Sequence, residues 1–505
     1  MKIKRASLLV FQLLFLAAFT FAQNNVELLD KYVESARKQW NVPGLSIVVV
    51  QDGKVLFAKG YGVRELGRNE PVTTDTLFGA MSTTKAMTVA CLAMLVDEGK
   101  VNWDDKVIKY LPDFRVADPY MTNELRVRDL LTHSAGLGDA DFLWVWMPTI
   151  SNAEVLRRMQ YAKPAYSMRS SFIYQNIMYL VAGQVIEKVS GMPWEKFIAE
   201  RLFTPLGMKN SFPNLTLSKA YTNRSSSHFE VKGKIEVIPE MPADSIAPAG
   251  AVWSTANDIS RWVTFMLGDG TWNGKVLIKP TTFNEIFKPQ VMVPGPQFYP
   301  TIAITKPHWM TYGFAWFQHD YRGEMVNFHT GSLDGRTAII GLMRDKKLGV
   351  YIFGNLDHAE VRHALMYKVF DLFGFNDNSR DWSSEFKTLY DGLKAQREKR
   401  QADTKAKRAL NTQPNLPLAS YAGRYSDPFY GRLEIALVDG KLRADFGSGL
   451  TADLGHWQFD TFMGTWNKDW WDNSLFAFQL SPIAAEVESL TVDGATLRKE
   501  PTQKK

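Results

Sequence analysis

A serine and a lysine three residues apart form the most informative pair in this 505-residue chain. Ser82 and Lys85 stand between the tight run 78–81 and the apolar run 86–96. On a helix this spacing puts both side chains on one face. A serine hydroxyl needs a neighbouring base to act as a nucleophile at neutral pH, and a desolvated lysine can be that base. The pattern predicts a Ser-Lys nucleophile at a helix N-terminus, where free N–H groups favour a developing oxyanion.

The Ser-x-x-Lys pattern is short, and it occurs twice more, at Ser35 with Lys38 and at Ser384 with Lys387. At ordinary residue frequencies, about one or two matches arise by chance in a chain of this length. Ser35 lies on a predicted polar helix and Ser384 in a charged segment, whereas Ser82 follows a turn. From this motif alone, an N-cap serine beside a solvated lysine remains an equal alternative at Ser82.

A serine nucleophile also needs a second group that handles protons, and two Tyr-x-Asn sequences offer one. Tyr174 and Asn176 directly precede a predicted helix over 177–189, which would hold their side chains in place. Tyr221 and Asn223 lie in a polar run with no such support. A phenol between lysine and serine can relay a proton, and an amide can hold a substrate carbonyl. The first pair is therefore the predicted one.

A third motif, His329-Thr330-Gly331-Ser332, comes at the end of an apparent strand. Glycine there lets a substrate backbone approach closely, and the Ser332 N–H can join that of Ser82 in an oxyanion hole. A lone His-Thr-Gly sequence is more often a loop tripeptide, so this motif carries weight only together with the other two.

The elements that must hold these motifs follow from hydrophobic periodicity. A hairpin at Asp52-Gly53 joins strands over 45–50 and 55–60, and helices are predicted over 86–98 and 177–189. Four further strands are predicted near the end of this region: 312–319, 325–329, 338–344 and 349–353. Strands at both ends with helices between them predict an α/β (α+β) domain whose antiparallel sheet is flanked by helices.

The last quarter of the chain changes character twice. Residues 376–412 crowd charges of both signs, which predicts a solvated helical linker rather than a nucleic-acid arm. Residues 413–505 alternate apolar and polar side chains between Asp-Gly turns, which predicts a small all-β domain. Its tryptophans are expected in the core or an interface rather than in a sugar-binding platform: Trp457, Trp466, Trp470 and Trp471.

The first 22 residues have the pattern of an export signal. Lys2, Lys4 and Arg5 precede an apolar stretch over 8–21, and cleavage is expected after Ala22. The predicted location is periplasmic or secreted, without a stable membrane span after cleavage. Removing these three charges lowers the formal charge of +6 to about +3, so no nucleic-acid partner is expected. The single cysteine excludes an intramolecular disulfide.

The three motifs together resemble those of the serine hydrolase family that contains class C β-lactamases, DD-carboxypeptidases and D-aminopeptidases. Framework segments typical of that family extend the similarity over about 27–358: 101–112, 130–137, 190–191, 205–208 and 248–255. Segments 418–425 and 430–431 resemble the lipocalin-like C-terminal domain of some members. The resemblance implies a β-lactamase/transpeptidase-like fold with an all-helical subdomain. Together with the export signal and the charged segment, it divides the chain into a signal peptide (1–22), a hydrolase domain (23–375), a charged linker (376–412) and a lipocalin-like barrel (413–505).

The resemblance also implies roles for the motif residues. Ser82 is the acylated nucleophile, Lys85 its base, Tyr174 an aid to proton transfer and His329 the third catalytic position. Substrate contacts fall to four further residues: Asn176, Thr330, Gly331 and Ser332. Neither a cofactor nor a metal ion is implied.

Position 329 distinguishes branches of that family. In this resemblance, class C β-lactamases have Lys-Thr-Gly at the third-motif position, whereas DD-peptidase and D-aminopeptidase members have His-Thr-Gly there. A histidine is mostly neutral at pH 7, so His329 is a weaker anchor for a β-lactam carboxylate than an ammonium group.

The leading hypothesis is an exported serine hydrolase that forms an acyl-enzyme with a small peptide, including peptides with a D-residue, as a peptidase or amidase. A carboxylesterase and then a β-lactamase are the alternatives, and a non-catalytic ligand-binding protein is the least favoured. Because every motif residue precedes residue 376, the β-domain is predicted to be dispensable for acylation. Oligomerisation through the β-domain stays open.

Overall fold

A computed structural model describes residues 24–138 and 140–501, so the predicted signal peptide lies outside the described residues. An eight-stranded sheet organises the first domain, and every strand pair in it is antiparallel. Its strands are β1 (Gly44–Gln51), β2 (Lys54–Gly62), β3 (Val291–Met292), β4 (Met310–Tyr312), β5 (Phe317–Tyr321), β6 (Glu324–Leu333), β7 (Arg336–Met343) and β8 (Leu348–Gly354). The order across the sheet is β2-β1-β8-β7-β6-β5-β4-β3.

The pairing of β1 with β8 closes this domain. Leu45 lies opposite Gly354 and Gln51 opposite Leu348, so the first strand completes the sheet beside the last. Side chains of β1 alternate between two separate hydrophobic cores, with Val48 in one and Val49 in the other. The predicted antiparallel sheet with helices against both faces is confirmed.

Two predicted strand boundaries were wrong. The strand predicted over 312–319 is two strands, β4 and β5, because the Gly313 N–H donates to Trp316 O and closes a turn between them. The strand predicted over 325–329 continues through β6 to Leu333, because its edge pairs with β7 as far as Arg336. The whole third motif therefore lies within this strand, whereas the prediction included only His329.

The helices with the first two motifs pack in one core. A single 3-10 turn, Met81–Thr83, leads into the nucleophile helix, Thr84–Asp97. The helix Asn176–Ser190 ends at Gly191, whose positive φ of 73° suits glycine. The remaining α-helices are 24–39, Pro119–Glu124, Phe142–Val145, Asn152–Met159, Trp194–Ile198, Thr204–Leu206, Leu215–Ser218, Ala247–Gly250, Ala256–Leu267, Pro280–Ile286, Ile302–Thr305, Val361–Val369 and Trp382–Ala406.

The helix Trp382–Ala406 occupies the charged segment, but its first turns belong to the hydrolase domain. Trp382 is fully buried, stacks on Tyr367 with ring centroids 4.9 Å apart, and donates its indole N–H to Asp371 Oδ2 at 2.7 Å. Phe386, one turn later, is buried beside it. The expectation of a wholly solvated segment was wrong here, since two aromatic residues four apart are enough to anchor one helical face.

The C-terminal domain is a closed barrel of eight antiparallel strands in consecutive order. They are β9 (Gly423–Asp427), β10 (Gly431–Val438), β11 (Lys441–Asp445), β12 (Thr451–Gln458), β13 (Thr461–Trp466), β14 (Ser474–Leu480), β15 (Val487–Val492) and β16 (Ala495–Lys499). The pairing of β9 with β16 removes the open edges. Trp466 is buried in its core, as expected.

None of the helices in the described part of the chain combines the length and apolarity needed to cross a lipid bilayer.

The anchoring of the charged helix predicts a large stability loss for Trp382→Ala. Removing a buried tryptophan leaves a cavity and should lower the free energy of unfolding by about 3–5 kcal/mol. Urea unfolding followed by circular dichroism measures this loss. As a control, Trp457→Ala removes a half-buried barrel ring stacked on Arg408 and should cost about 1 kcal/mol or less. Equal losses in the two variants would contradict the anchoring.

Candidate active site

The backbone before Ser82 is fixed on both sides. The short strand Phe78–Gly79 pairs with Trp253–Ser254, and the Ala80 N–H donates to Val252 O at 2.7 Å. Met81 then adopts a positive φ of 45°, which costs about 1–3 kcal/mol for a residue other than glycine. This bend presents Ser82 at the start of the nucleophile helix with its side chain half-buried.

Lys85 is fully buried, and its amine contacts three oxygen atoms. Its Nζ lies 3.0 Å from Ser82 Oγ, 2.7 Å from Asn176 Oδ1 and 2.9 Å from Ala249 O. A neutral amine has two N–H groups and one lone pair. If the N–H groups donate to Asn176 and Ala249, the lone pair faces the Ser82 hydroxyl, which is the arrangement a general base requires.

Burial lowers the pKa of Lys85 from its ordinary range to about 7, and the charge of Asp141 partly opposes this shift. Desolvation disfavours the ammonium form because a charge loses its hydration inside the protein. About half of the Lys85 amines are therefore neutral at pH 7. The groups around the amine include the neutral rings of Tyr174, Tyr179, His133 and His329.

Asp141 orients Asn176, and the sequence analysis missed it. Asn176 Nδ2 donates to Asp141 Oδ2 at 2.6 Å, which leaves the amide oxygen directed at Lys85. Asp141 precedes the short helix Phe142–Val145, and no motif distinguishes it from other acidic residues in loops. Only the fold brings it to Asn176, 35 residues further along the chain.

Tyr174 lies beside Lys85, as predicted, with its ring centroid 4.8 Å from the amine. Burial raises the pKa of its phenol well above the usual range, although hydrogen bonding with Ser82 opposes the rise. The phenol therefore stays protonated and can donate or relay a proton rather than act as an anionic base. Tyr221, the alternative, instead donates to Asp75 O and packs against Phe212.

His329 belongs to a directional chain of hydrogen bonds. The Gln175 N–H donates to His133 Nδ1 at 2.9 Å, so His133 carries its proton on Nε2 and donates to the Tyr312 hydroxyl at 3.1 Å. That hydroxyl then donates to His329 Nε2 at 3.1 Å, and His329 Nδ1–H donates to Thr330 O at 2.6 Å. Both imidazoles are neutral and have both nitrogens engaged. His133 therefore connects the backbone before Asn176 to the Tyr312 hydroxyl.

Burial and the nearby Lys85 charge lower the pKa of His329 to about 3. The ring is 1% exposed, and its hydrogen bonds are to the Tyr312 hydroxyl and Thr330 O rather than to Ser82 or Lys85. His329 therefore braces the strand and the Tyr312 hydroxyl in a neutral form, and it supplies no positive charge at physiological pH.

Gly331 brings β6 against the nucleophile. A Cβ atom at this position would lie 2.5 Å from Ala80 O, 2.9 Å from Met81 Cβ and 3.1 Å from Ser82 N. Such distances exclude a side chain, so the strand and the turn before Ser82 touch through their backbones. Since β5 pairs with β6 only as far as Phe328, no strand of the described chain pairs with this end of β6 on that side.

Arg362 holds the other side of the motif, and the sequence analysis missed it. Its Nη1 donates to Gly331 O at 2.5 Å and to Ser332 Oγ at 2.9 Å, while Glu360 accepts from Nε and Nη2 at 3.1 and 2.9 Å. Thr330 Oγ1 lies 2.5 Å from the Tyr299 hydroxyl. The buried guanidinium is thus neutralised by Glu360 and fixes the strand instead of facing the cleft.

The other Ser-x-x-Lys matches lie elsewhere. Ser35 is on the helix 24–39, and Lys38 pairs with Glu34. Ser384 donates to Asp381, and Lys387 pairs with Asp391 on the surface. Neither serine has its lysine as a partner, so the structure favours Ser82 among the three matches.

Among the described residues, no group of three histidine, cysteine, aspartate or glutamate side chains is placed to hold a metal ion.

Two family models match this chain. The model described as β-lactamase covers residues 29–371, and a domain of unknown function, DUF3471, covers 407–504. Among curated proteins, an unguisins hydrolase of Aspergillus violaceofuscus is 28% identical, over 82% of this chain and 77% of its own length. The protein Flp of Staphylococcus aureus is 24% identical, over 66% of this chain and 64% of its own length.

Solved structures share the fold of both domains. An octameric penicillin-binding protein homologue from Pyrococcus abyssi aligns with a TM-score of 0.62 and 21% identity, over 93% of this chain and 99% of its own. SurE crystallised with D-Leu aligns with a TM-score of 0.55 and 18% identity, over 95% and 100%. The arrangement of sheet, helices and barrel is thus shared at low sequence identity.

The lowered pKa of Lys85 predicts the pH dependence of Ser82 acylation. Because the base must be neutral, the acylation rate should rise about tenfold per pH unit below pH 7. It should level off above pH 7, where most of the Lys85 amines are neutral. Stopped-flow acylation with a chromogenic ester measures the profile, and Lys85→Arg should abolish the reaction. A rate still climbing near pH 10.4, the ordinary lysine value, would show that Lys85 is solvated.

Gly331→Ala should reduce acylation by about a hundredfold, since an added methyl group must push β6 from the Ser82 backbone and misplacement of about 1 Å has an effect of that size. Gly392→Ala is the matched control. Position 392 lies on the exposed part of the helix Trp382–Ala406 with no atom within 4 Å of the new Cβ, so activity should be unchanged. Wild-type acylation in Gly331→Ala would disprove the close contact.

Proposed function

We propose that this chain, which belongs to the β-lactamase family of serine hydrolases, hydrolyses amide bonds of small peptides through an acyl-enzyme on Ser82. The observation that carries the proposal is the buried amine of Lys85, 3.0 Å from Ser82 Oγ and with a pKa of about 7. A serine beside a base that is half neutral at pH 7 is suited to nucleophilic attack on a carbonyl.

The proposed reaction has two balanced steps. Neutral Lys85 takes the Ser82 proton as Oγ bonds to the carbonyl carbon, and the oxyanion is held by the N–H groups of Ser82 and Ser332. The bond from carbon to the leaving amine then breaks, and the proton passes from Lys85 to that amine, with Tyr174 as relay. In the second step water gives a proton to Lys85 as its oxygen bonds to the ester carbon. The bond from that carbon to Ser82 Oγ then breaks, and the proton returns from Lys85 to Oγ, which releases the acid and restores Ser82.

The charges around the cleft support peptide substrates that lack a free carboxylate next to the cleaved bond. Lys85 is half neutral, His329 is neutral, and Arg362 is paired with Glu360. A carboxypeptidase or a β-lactamase gains from a cation that binds the substrate carboxylate, and none of these three groups offers a free one. We therefore favour an amidase or an aminopeptidase-type reaction over both.

Two relatives support this class. One curated relative is named a hydrolase of unguisins, and one structural neighbour was crystallised with D-Leu. These names belong to those proteins, and we extend them to this chain only as a proposal that its acyl group includes a D-residue.

Ester hydrolysis is the second candidate, and Tyr174 favours it. Burial raises the pKa of the phenol well above its ordinary value, which makes it a weak acid for protonating an amine. An alkoxide leaving group needs less help of this kind, so esters should be cleaved readily on the same site.

Export and assembly complete the proposal. Residues 1–22 support secretion to the periplasm or the medium, which the N-terminal sequence of the purified mature protein would test. An octameric structural neighbour supports oligomerisation of this chain, and light scattering of the purified protein would test it.

Ser82 should be the residue modified by a fluorophosphonate probe, because it alone among the Ser-x-x-Lys serines contacts a buried lysine. Peptide mass mapping locates the adduct, and Ser82→Ala should lose labelling and turnover by several orders of magnitude. Ser384→Ala is the control and should label fully. An adduct on Ser35, Ser384 or Ser332 would refute the assignment.

Substrates that differ only in a terminal carboxylate should distinguish the reaction class. We expect kcat/KM for a dipeptide amide with a D-aminoacyl group to exceed that for the matching dipeptide acid by about tenfold or more. The acid's carboxylate must lose hydration without a free cation among the three nearby groups, and a charge-assisted contact is worth about 1.5–3 kcal/mol. Liquid chromatography of both reactions measures the ratio. Preference for the acid would instead support a carboxypeptidase.

A further inference from the structure

The barrel contacts the hydrolase domain at a segment that adjoins the candidate active site. Trp146 lies in the barrel's own core, with its ring 4.7 Å from Phe446 and 6.3 Å from Tyr430. Phe142 packs 4.8 Å from Trp146 and 6.3 Å from Tyr430. Trp146 is 3% exposed, so a hydrolase side chain completes the packing of the barrel.

This docked segment carries Asp141. The N–H groups of Trp144 and Val145 donate to Asp141 O at 3.1 and 3.0 Å, which ties Asp141 to the helix Phe142–Val145. Asp141 accepts from Asn176 at 2.6 Å, and Asn176 accepts from Lys85 at 2.7 Å. One continuous series of contacts therefore leads from the barrel core to the base.

A second contact lies beyond the other motif. The indole N–H groups of Trp470 and Trp471, in the loop between β13 and β14, both donate to Asp334 Oδ2 at 2.8 Å. Asp334 lies in the turn between β6 and β7, two residues after Ser332. The barrel thus holds the end of the strand that faces Ser82 as well as the segment with Asp141.

We propose that barrel docking positions the active site, so that Asp141 and the Ser332 end of β6 reach their reactive places only when Trp146, Trp470 and Trp471 are seated. The barrel is then required for acylation, which reverses the expectation drawn from the sequence that it is dispensable. These three tryptophans are positioning residues, since each acts through another residue. The inference rests on the proposed acylation of Ser82.

The experiment uses the full chain and measures the rate of Ser82 labelling by a fluorophosphonate as a function of pH. Trp146→Ala should slow labelling by about ten- to a hundredfold, and Trp146→Phe should restore most of it. The double variant Trp470→Phe with Trp471→Phe keeps an aromatic ring at each position, removes both indole donors and should also slow labelling. It tests the second contact with a smaller loss of volume than alanine would cause.

The pH profile separates positioning from general destabilisation. In Trp146→Ala, water should reach Lys85 and weaken the effect of burial on its pKa. Because burial affects this pKa more than the charge of Asp141 does, the rise in rate should move to higher pH even if Asp141 is displaced. Asp141→Asn keeps the burial but removes the charge that raises the pKa of Lys85, so the rise should move to lower pH. Lys85 also faces Tyr174, Tyr179, His133 and His329, and all four are retained in every variant.

Phe462→Leu provides the matched control. Phe462 lies in the barrel core against Tyr421 and Phe478, away from the docked segment, so this variant weakens the barrel without altering the contact. It should label at the wild-type rate with the wild-type pH profile.

Three outcomes decide the inference. Slower labelling and a moved pH profile in the docking variants, with neither in the control, support it. Wild-type labelling in the docking variants, or equal slowing in the control with an unmoved profile, overturns it while the proposed function stands. If the wild-type protein itself does not label at Ser82, the proposed function fails and the inference fails with it.

Discussion

Burial of the Lys85 amine is the constraint on which the rest of the site depends. Removing an ammonium ion from water costs hydration free energy, so the buried Lys85 amine is partly neutral. It contacts oxygen atoms of Ser82, Asn176 and Ala249. Each partner comes from a different element of the helical core. The reactivity of Ser82 therefore depends on the packing of these elements together, because that packing excludes water from the amine.

The groups near Lys85 are likewise either neutral or paired with an opposite charge. His133 and His329 remain neutral because burial lowers the pKa of both rings, and their four ring nitrogens are engaged in one directional hydrogen-bond chain through Tyr312. Arg362 keeps its charge but is matched by Glu360 within the same buried layer. A free cation close to Lys85 would lower its pKa further, and an unpaired anion would raise it. Neutral partners therefore help to keep the pKa of Lys85 near 7.

Strain and close backbone contact are concentrated where the nucleophile meets β6. Met81 has a positive φ, and Gly331 leaves no room for a side chain against Ala80. Both features bring two backbones together at Ser82, and such local costs persist only where the surrounding structure fixes them. Here the pairing of Phe78–Gly79 with Trp253–Ser254 and the hydrogen bonds of Arg362 provide that support.

The sequence by itself determined the elements and the motif residues: the β1–β2 hairpin, the helices after Ser82 and Tyr174, and the Ser-Lys pair, because periodicity, turn residues and short spacings are local properties. It could not reveal Asp141, Arg362 or the seating of Trp146 in the barrel, since no local pattern marks a residue whose partner is distant in the chain. It also misjudged where β6 ends, because a strand extends as far as its partner allows. Tertiary structure alone decided the protonation of the site, since the pKa of a lysine or histidine is set by the water that folding removes.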